Sequence, residues 1–266
     1  GRAWGMLTLA GVLLLILLAL LGEDGIRASL TGARLTNTEL SLLWVVALIR
    51  AGVYPFHFWL TDHGSTQKDH WIPVYLIAPV AGLWLLGRVH ALAPEGWLRR
   101  PEWIALGALA LLGTALVAWT AEDPGRRWRW IALNRASLAV LAAYTAASPS
   151  PGALVWSVAT FGLGCALLAA AQPARSLFGW RAPSALAGLT LWGLPGTVGF
   201  LAHSVLVFPT DAALAAPLFA VVVLAEVFLV AALWEAVFRD ADEPHAGRHA
   251  TWGALLRVGG AVALLA

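Results

Sequence analysis

The chain has 266 residues, 60% of them hydrophobic and only 12% charged, with a formal net charge of +2. A soluble domain carries about 25% charge, so a water-soluble globular fold is excluded, and so small a net charge gives no electrostatic footprint for nucleic acid. A single cysteine, Cys165, rules out an internal disulfide and any cysteine-built metal or iron–sulfur centre, and no cofactor motif is present.

The composition reads as an all-α, multi-pass integral membrane protein. A spanning helix needs about 20 mostly apolar residues. Nine stretches qualify, at roughly 4–22, 38–60, 71–92, 102–120, 129–148, 151–171, 183–208, 212–238 and 251–266. Brief connections rich in Gly, Pro, Asp and Arg predict one compact bundle. Trp4, Trp59, Trp71, Trp97, Trp103 and Trp128 fall near stretch ends and read as interfacial anchors. Arg2, Lys68, Arg126, Arg127, Arg129, Arg175, Arg181, Arg239 and Arg248 lie on one side, against Arg27, Arg34, Arg99 and Arg100 on the other, with Arg88 near them. That bias places Gly1 in the cytoplasm. The sequence opens on Gly1 rather than methionine, which predicts a preceding segment. The first apolar run is too long, and lacks the small-residue pattern, for a cleaved signal peptide.

The second stretch, TELSLLWVVALIRAGVYPFHFWLTD, is the most unusual. Arg50 lies near its middle, and an arginine at bilayer depth costs several kcal/mol unless it faces protein or water. Pro55 lacks an N–H and frees the carbonyl of Ala51. Broken spans of this kind mark ion or substrate paths; the plainer alternative is a kinked span whose arginine pairs with a neighbour, and in either case Arg50 is expected to be paired. The seventh stretch, LTLWGLPGTVGFLAHSVLVFP, repeats the pattern. Pro195 frees the carbonyl of Leu191, Gly193, Gly196 and Gly199 weaken the helix, and His203 follows one turn later. Glu226 lies mid-stretch in FAVVVLAEVFLV and is expected to face protein near His203. Glu235, nine residues on, falls on about the opposite face. Arg135 is two turns into the fifth stretch, within reach of the interface, and Arg257 lies in the last.

Stretches two and seven are five apart and therefore run in opposite directions, as in an inverted-topology repeat. Residues 93–240 would form a five-helix unit, 1–92 the last three helices of its partner, and 241–266 a final helix.

RAGVYPFHFWLTD resembles the signature of the proton-channel subunits of respiratory complex I and the related Mrp-type antiporters: a lysine five residues before Pro-Phe-His-x-Trp, then Pro-Asp. Pro55, Phe56, His57, Trp59 and Asp62 match, while Arg50 stands for the lysine and Thr61 for the proline. IAPV at 77–80 resembles the Ala-Pro-Lys of the N-type subunit, LGCALL at 163–168 its Leu-Gly-Ala-Phe, and LTLWGLPGTVGFLAH at 189–203 its Gly-Ile-Pro-Pro-x-x-Gly-Phe-x-x-Lys. The resemblance implies an antiporter-like bundle with two broken helices in a bacterial inner membrane. It implies partners in other membrane subunits of an NADH-quinone oxidoreductase-like complex, with no redox site on this chain. It marks Arg50, His57, His203 and Glu226 as proton-relay candidates and Pro55, Pro79 and Pro195 as helix breaks. The departures imply a partly degenerate channel. Arginine stays protonated, Val80 stands where the family has a lysine, and His203, which can titrate, stands where it has a lysine or glutamate. A path weakened at the third stretch is therefore expected. A non-pumping scaffold, a cation/proton antiporter and a proton-driven inorganic-carbon importer are the alternatives. A row of waters from Arg50 to His203 would speak for transport and a dry apolar axis for scaffold.

Overall fold

The computed structural model of the chain describes residues 2–27, 35–61, 76–94, 96–145, 152–178, 180–206 and 212–239. Among these residues the regular elements are all helical: α1 (Arg2–Arg27), α2 (Asn37–Ala51), α3 (Phe58–Thr61), α4 (Ala78–Leu92), α5 (Pro101–Thr120), α6 (Pro124–Thr145), α7 (Gly152–Phe178), α8 (Ala182–Trp192), α9 (Val198–Leu206) and α10 (Ala212–Trp234), which passes into a π turn at Glu235–Arg239. Three of them hold stretches long and apolar enough to cross a membrane, Ala3–Leu21, Pro101–Thr120 and Ala215–Val237. The ninth stretch with Arg257, and Asp62, Lys68 and Trp71, lie outside the described residues.

Local chemistry sets the helix boundaries. Thr36 caps α2 through a reciprocal pair: the Glu39 N–H donates to Thr36 Oγ1 at 3.3 Å, and the Thr36 N–H donates to Glu39 Oε2 at 2.7 Å. Pro101 opens α5, where a missing N–H costs nothing. Pro79 sits in the first turn of α4, directly after a π-helical step at residues 76–77.

The bundle is built around α6, which packs against α3, α4, α5, α7, α9 and α10. Every residue from Leu133 to Tyr144 is buried. The reason lies in its composition. Asn134, Arg135 and Ser137 need hydrogen-bond partners when buried away from water, and Ala136, Ala139, Ala142 and Ala143 let neighbouring backbones approach. On the first half of the chain, α2 crosses α4 so closely that a Cβ on Gly82 would overlap the backbone nitrogen of Ala51.

Candidate functional site

Two helix breaks share one backbone device. α2 ends at Gly52 (φ 65°), whose N–H donates to the carbonyls of Leu48 and Ile49. α8 ends at Gly193 (φ 83°), whose N–H donates to those of Leu189 and Thr190. Both glycines are in the left-handed conformation that terminates helices. The next residue then accepts a turn-closing bond: Phe56 N–H to Val53 O at 2.7 Å, and Thr197 N–H to Leu194 O at 3.0 Å. The helices therefore stop at glycine caps rather than kinking at Pro55 and Pro195. The prolines act one step later, because neither can supply the N–H that a continuing helix would bring to Ala51 or Leu191.

At the second break the freed carbonyl of Leu191 accepts from Arg135 Nη1 at 3.0 Å. Arg135 is only 2% exposed. It does not reach for the interface, as its position predicted. It lies at the centre of a polar cluster instead, because a buried guanidinium demands acceptors for all five of its N–H groups. Here all five are engaged. Nε and one Nη2 hydrogen go to Asn134 Oδ1, at 3.1 and 2.7 Å. The other Nη2 hydrogen goes to Glu226 Oε1. Nη1 serves Leu191 O and His203 Nε2, the latter at 3.2 Å.

His203 closes the cluster. Its Nδ1 lies 2.8 Å from Gly199 O, and a carbonyl can only accept, so Nδ1 carries a proton. Its Nε2 has two claimants, Arg135 Nη1 at 3.2 Å and Glu226 Oε1 at 3.1 Å. One atom cannot satisfy both. With the ring neutral, Nε2 accepts from Arg135. With the ring charged, Nε2–H donates to Glu226. The other carboxylate oxygen, Glu226 Oε2, is buried and has no hydrogen-bond partner among the described residues. The expected meeting of Glu226 with His203 is found. Glu235, predicted on the opposite face, also reaches α6: its Oε2 pairs with Arg127 Nη2 at 3.0 Å.

The first break is furnished differently. Trp59, predicted as an interfacial anchor, is 0% exposed. Its Nε1–H donates to Ile49 O at 2.9 Å, a second donor to a carbonyl that the Gly52 N–H also reaches where α2 stops. Arg50, expected to be paired, has no carboxylate or carbonyl partner among the described residues, and its Nε is buried without one. His57 lies between Tyr54 and Trp130, with ring centroids 5.7 and 5.8 Å away. Neither Arg50 nor His57 hydrogen-bonds to the cluster at the second break.

Between this break, α6 and α7 lies a cavity of about 20 Å³, lined among others by Ala51, Leu60, Pro79, Arg129, Phe161 and Cys165. It has room for about one water molecule, but its walls are mostly apolar. Val80 points no polar atom toward α7, where it faces Gly162.

Asn134 carries no expectation from the sequence, and Arg135 none beyond reach of the interface. The available signal was an Asn-Arg pair in the fifth stretch, flanked by residues that are otherwise small or apolar. No protein-family model matches the chain, and no curated protein matches it.

Proposed function

We propose that the chain is an antiporter-like membrane subunit of a complex I-like energy-converting assembly, in which proton translocation is retained at the second helix break and degenerate at the first. In this reading nine transmembrane helices form the inverted repeat, with 1–92 and 93–240 as its two parts and 241–266 as a final helix. The observation that carries it is the buried Arg135–Glu226–His203 cluster at a freed backbone carbonyl. Buried ionisable groups at a broken helix are costly and mark ion paths. The shared glycine-cap geometry of the two breaks supports the repeat, and the quoted motifs support the family.

The cluster can move a proton without moving a helix. A proton reaching Nε2 of His203 displaces Arg135 from that atom and turns the ring toward donation to Glu226. Glu226 can take the proton while Arg135 remains charged, tied to Asn134 and Leu191. Oε2, buried and without a partner among the described residues, gives a second atom on which the proton can sit. Arg50 offers donors and no acceptor, and the apolar cavity beside it offers no titratable ladder toward the cluster.

That cavity also favours a second reading, a scaffold in which the cluster is a structural ion pair. Proton pumping by the purified complex in liposomes, compared with its redox turnover, separates the two. Glu226→Gln or His203→Ala is expected to lower pumping at least about tenfold, with assembly and turnover intact. Unchanged pumping would leave the scaffold reading. An iron–sulfur, quinone-binding partner among the co-purifying chains would support the complex I class over an antiporter or importer.

A further inference from the structure

Asn134 precedes Arg135 on α6 and is completely buried. A primary amide offers two N–H donors and one oxygen with two lone pairs. Both donors are used on α5: Nδ2 lies 2.8 Å from Leu111 O and 3.1 Å from Thr114 Oγ1. Both lone pairs are used by Arg135, at Nε and Nη2. The Thr114 hydroxyl donates back into α5, 2.7 Å from Ala110 O, so toward Asn134 it can only accept.

This accounting fixes the orientation of the amide. A carbonyl only accepts and a guanidinium only donates. Turned round, the amide would set its NH₂ against Arg135 and its oxygen against Leu111 O, leaving four buried polar groups opposed. Asn134 therefore ties the guanidinium to α5 in one pose. The three remaining N–H groups of Arg135 are then aimed at Leu191 O, His203 Nε2 and Glu226 Oε1. Without the tie, Leu191 O would be the single grip on the guanidinium, among the described residues, that the proposed relay does not exchange.

We infer that Asn134 is a positioning residue, which holds Arg135 still while His203 and Glu226 change partners. Its bearing on transport rests on the reading proposed above; the tether itself does not.

Nitrogen-15 solid-state NMR of the arginine-labelled full chain in bilayers tests the tether, with the Arg135 signals assigned by their loss in Arg135→Lys. In the native chain the two Nη nitrogens should be distinct, because the guanidinium cannot rotate about Cζ–Nε. Asn134→Leu keeps the volume but removes the acceptor, and should merge them. Asn134→Asp keeps the acceptor and should leave them distinct, an outcome that a purely space-filling role would reverse. Should the Asp variant fail to fold, the comparison of Asn134→Leu with the native chain decides alone. Distinct Nη signals in Asn134→Leu would overturn the inference. Proton pumping should fall about tenfold in Asn134→Leu. Merged signals with unchanged pumping would overturn the part played in transport. Should the native chain itself move no protons, the transport reading falls, while merged signals in Asn134→Leu still uphold the tether.

Discussion

The two helix breaks use the same backbone and different side chains. Each ends a helix at a left-handed glycine, closes a short turn and leaves carbonyls in need of donors. At the first, a neutral donor on the restarted helix, Trp59, covers Ile49 O. At the second, a cation from another helix, Arg135 of α6, covers Leu191 O and brings a carboxylate and an imidazole with it. The break is thus a generic way to expose backbone acceptors inside a helical bundle. What a break can do depends on the neighbour that fills it. The charge on the broken helix itself, Arg50, is not the one that fills a break among the described residues.

This contrast can be broken or sharpened by mutation. The largest effect is expected from Arg135→Met, which leaves Glu226 uncompensated and should cost about 3–5 kcal/mol, read as a lowered Tm in detergent. Adding Glu226→Leu should restore most of the loss, since removing both partners of a buried pair is far less harmful than removing one. Failure of the double variant to recover would mean that the cluster is not held by this pair. Next come the caps. Gly193→Ala and Gly52→Ala each force a side chain into left-handed backbone, at about 1–2 kcal/mol. At Gly193 the new methyl would also overlap the His203 ring, whereas at Gly52 it meets the flexible end of Leu60. Gly193→Ala should therefore be the worse of the two, and it alone should disturb the His203 nitrogen signals. Trp59→Phe removes the bond to Ile49 O and keeps the ring, for about 1 kcal/mol. Arg50→Gln should change Tm least, by less than about 1 kcal/mol in stability. A loss as large as that of Arg135→Met would show that the first break contains an ion pair of its own.

The helical architecture and the positions of both breaks were legible because apolar length and Gly/Pro placement act locally. The packing order was not. In a soluble protein the most apolar helix is the most buried; in this chain α1 has the longest unbroken run of aliphatic side chains, and only 11% of its apolar stretch is buried. The helix with Asn134, Arg135 and Ser137 is the one enclosed on all sides. Lipid is as apolar as leucine, so hydropathy finds helices without ranking their depth in the bundle. The same limit applies to Trp59, a residue type common at membrane interfaces that lies inside the first break instead. His203 and Glu226 were found because a titratable group within an apolar run has few bland explanations. Their meeting with Arg135 depends on three helices far apart in the chain, which no local pattern encodes.

The charge count of the cluster has a consequence of its own. With His203 neutral, the Arg135 cation and the Glu226 anion cancel. With a proton on Nε2, the group gains one net positive charge. A full elementary charge moved through the whole transmembrane potential is worth about 2.3 kcal/mol per 100 mV, and a charge part of the way across feels that fraction of it. In the transport reading, a proton carried through the cluster would then be driven by voltage. Arg135 and Glu226, fixed and opposite, would set the baseline against which that single charge is read.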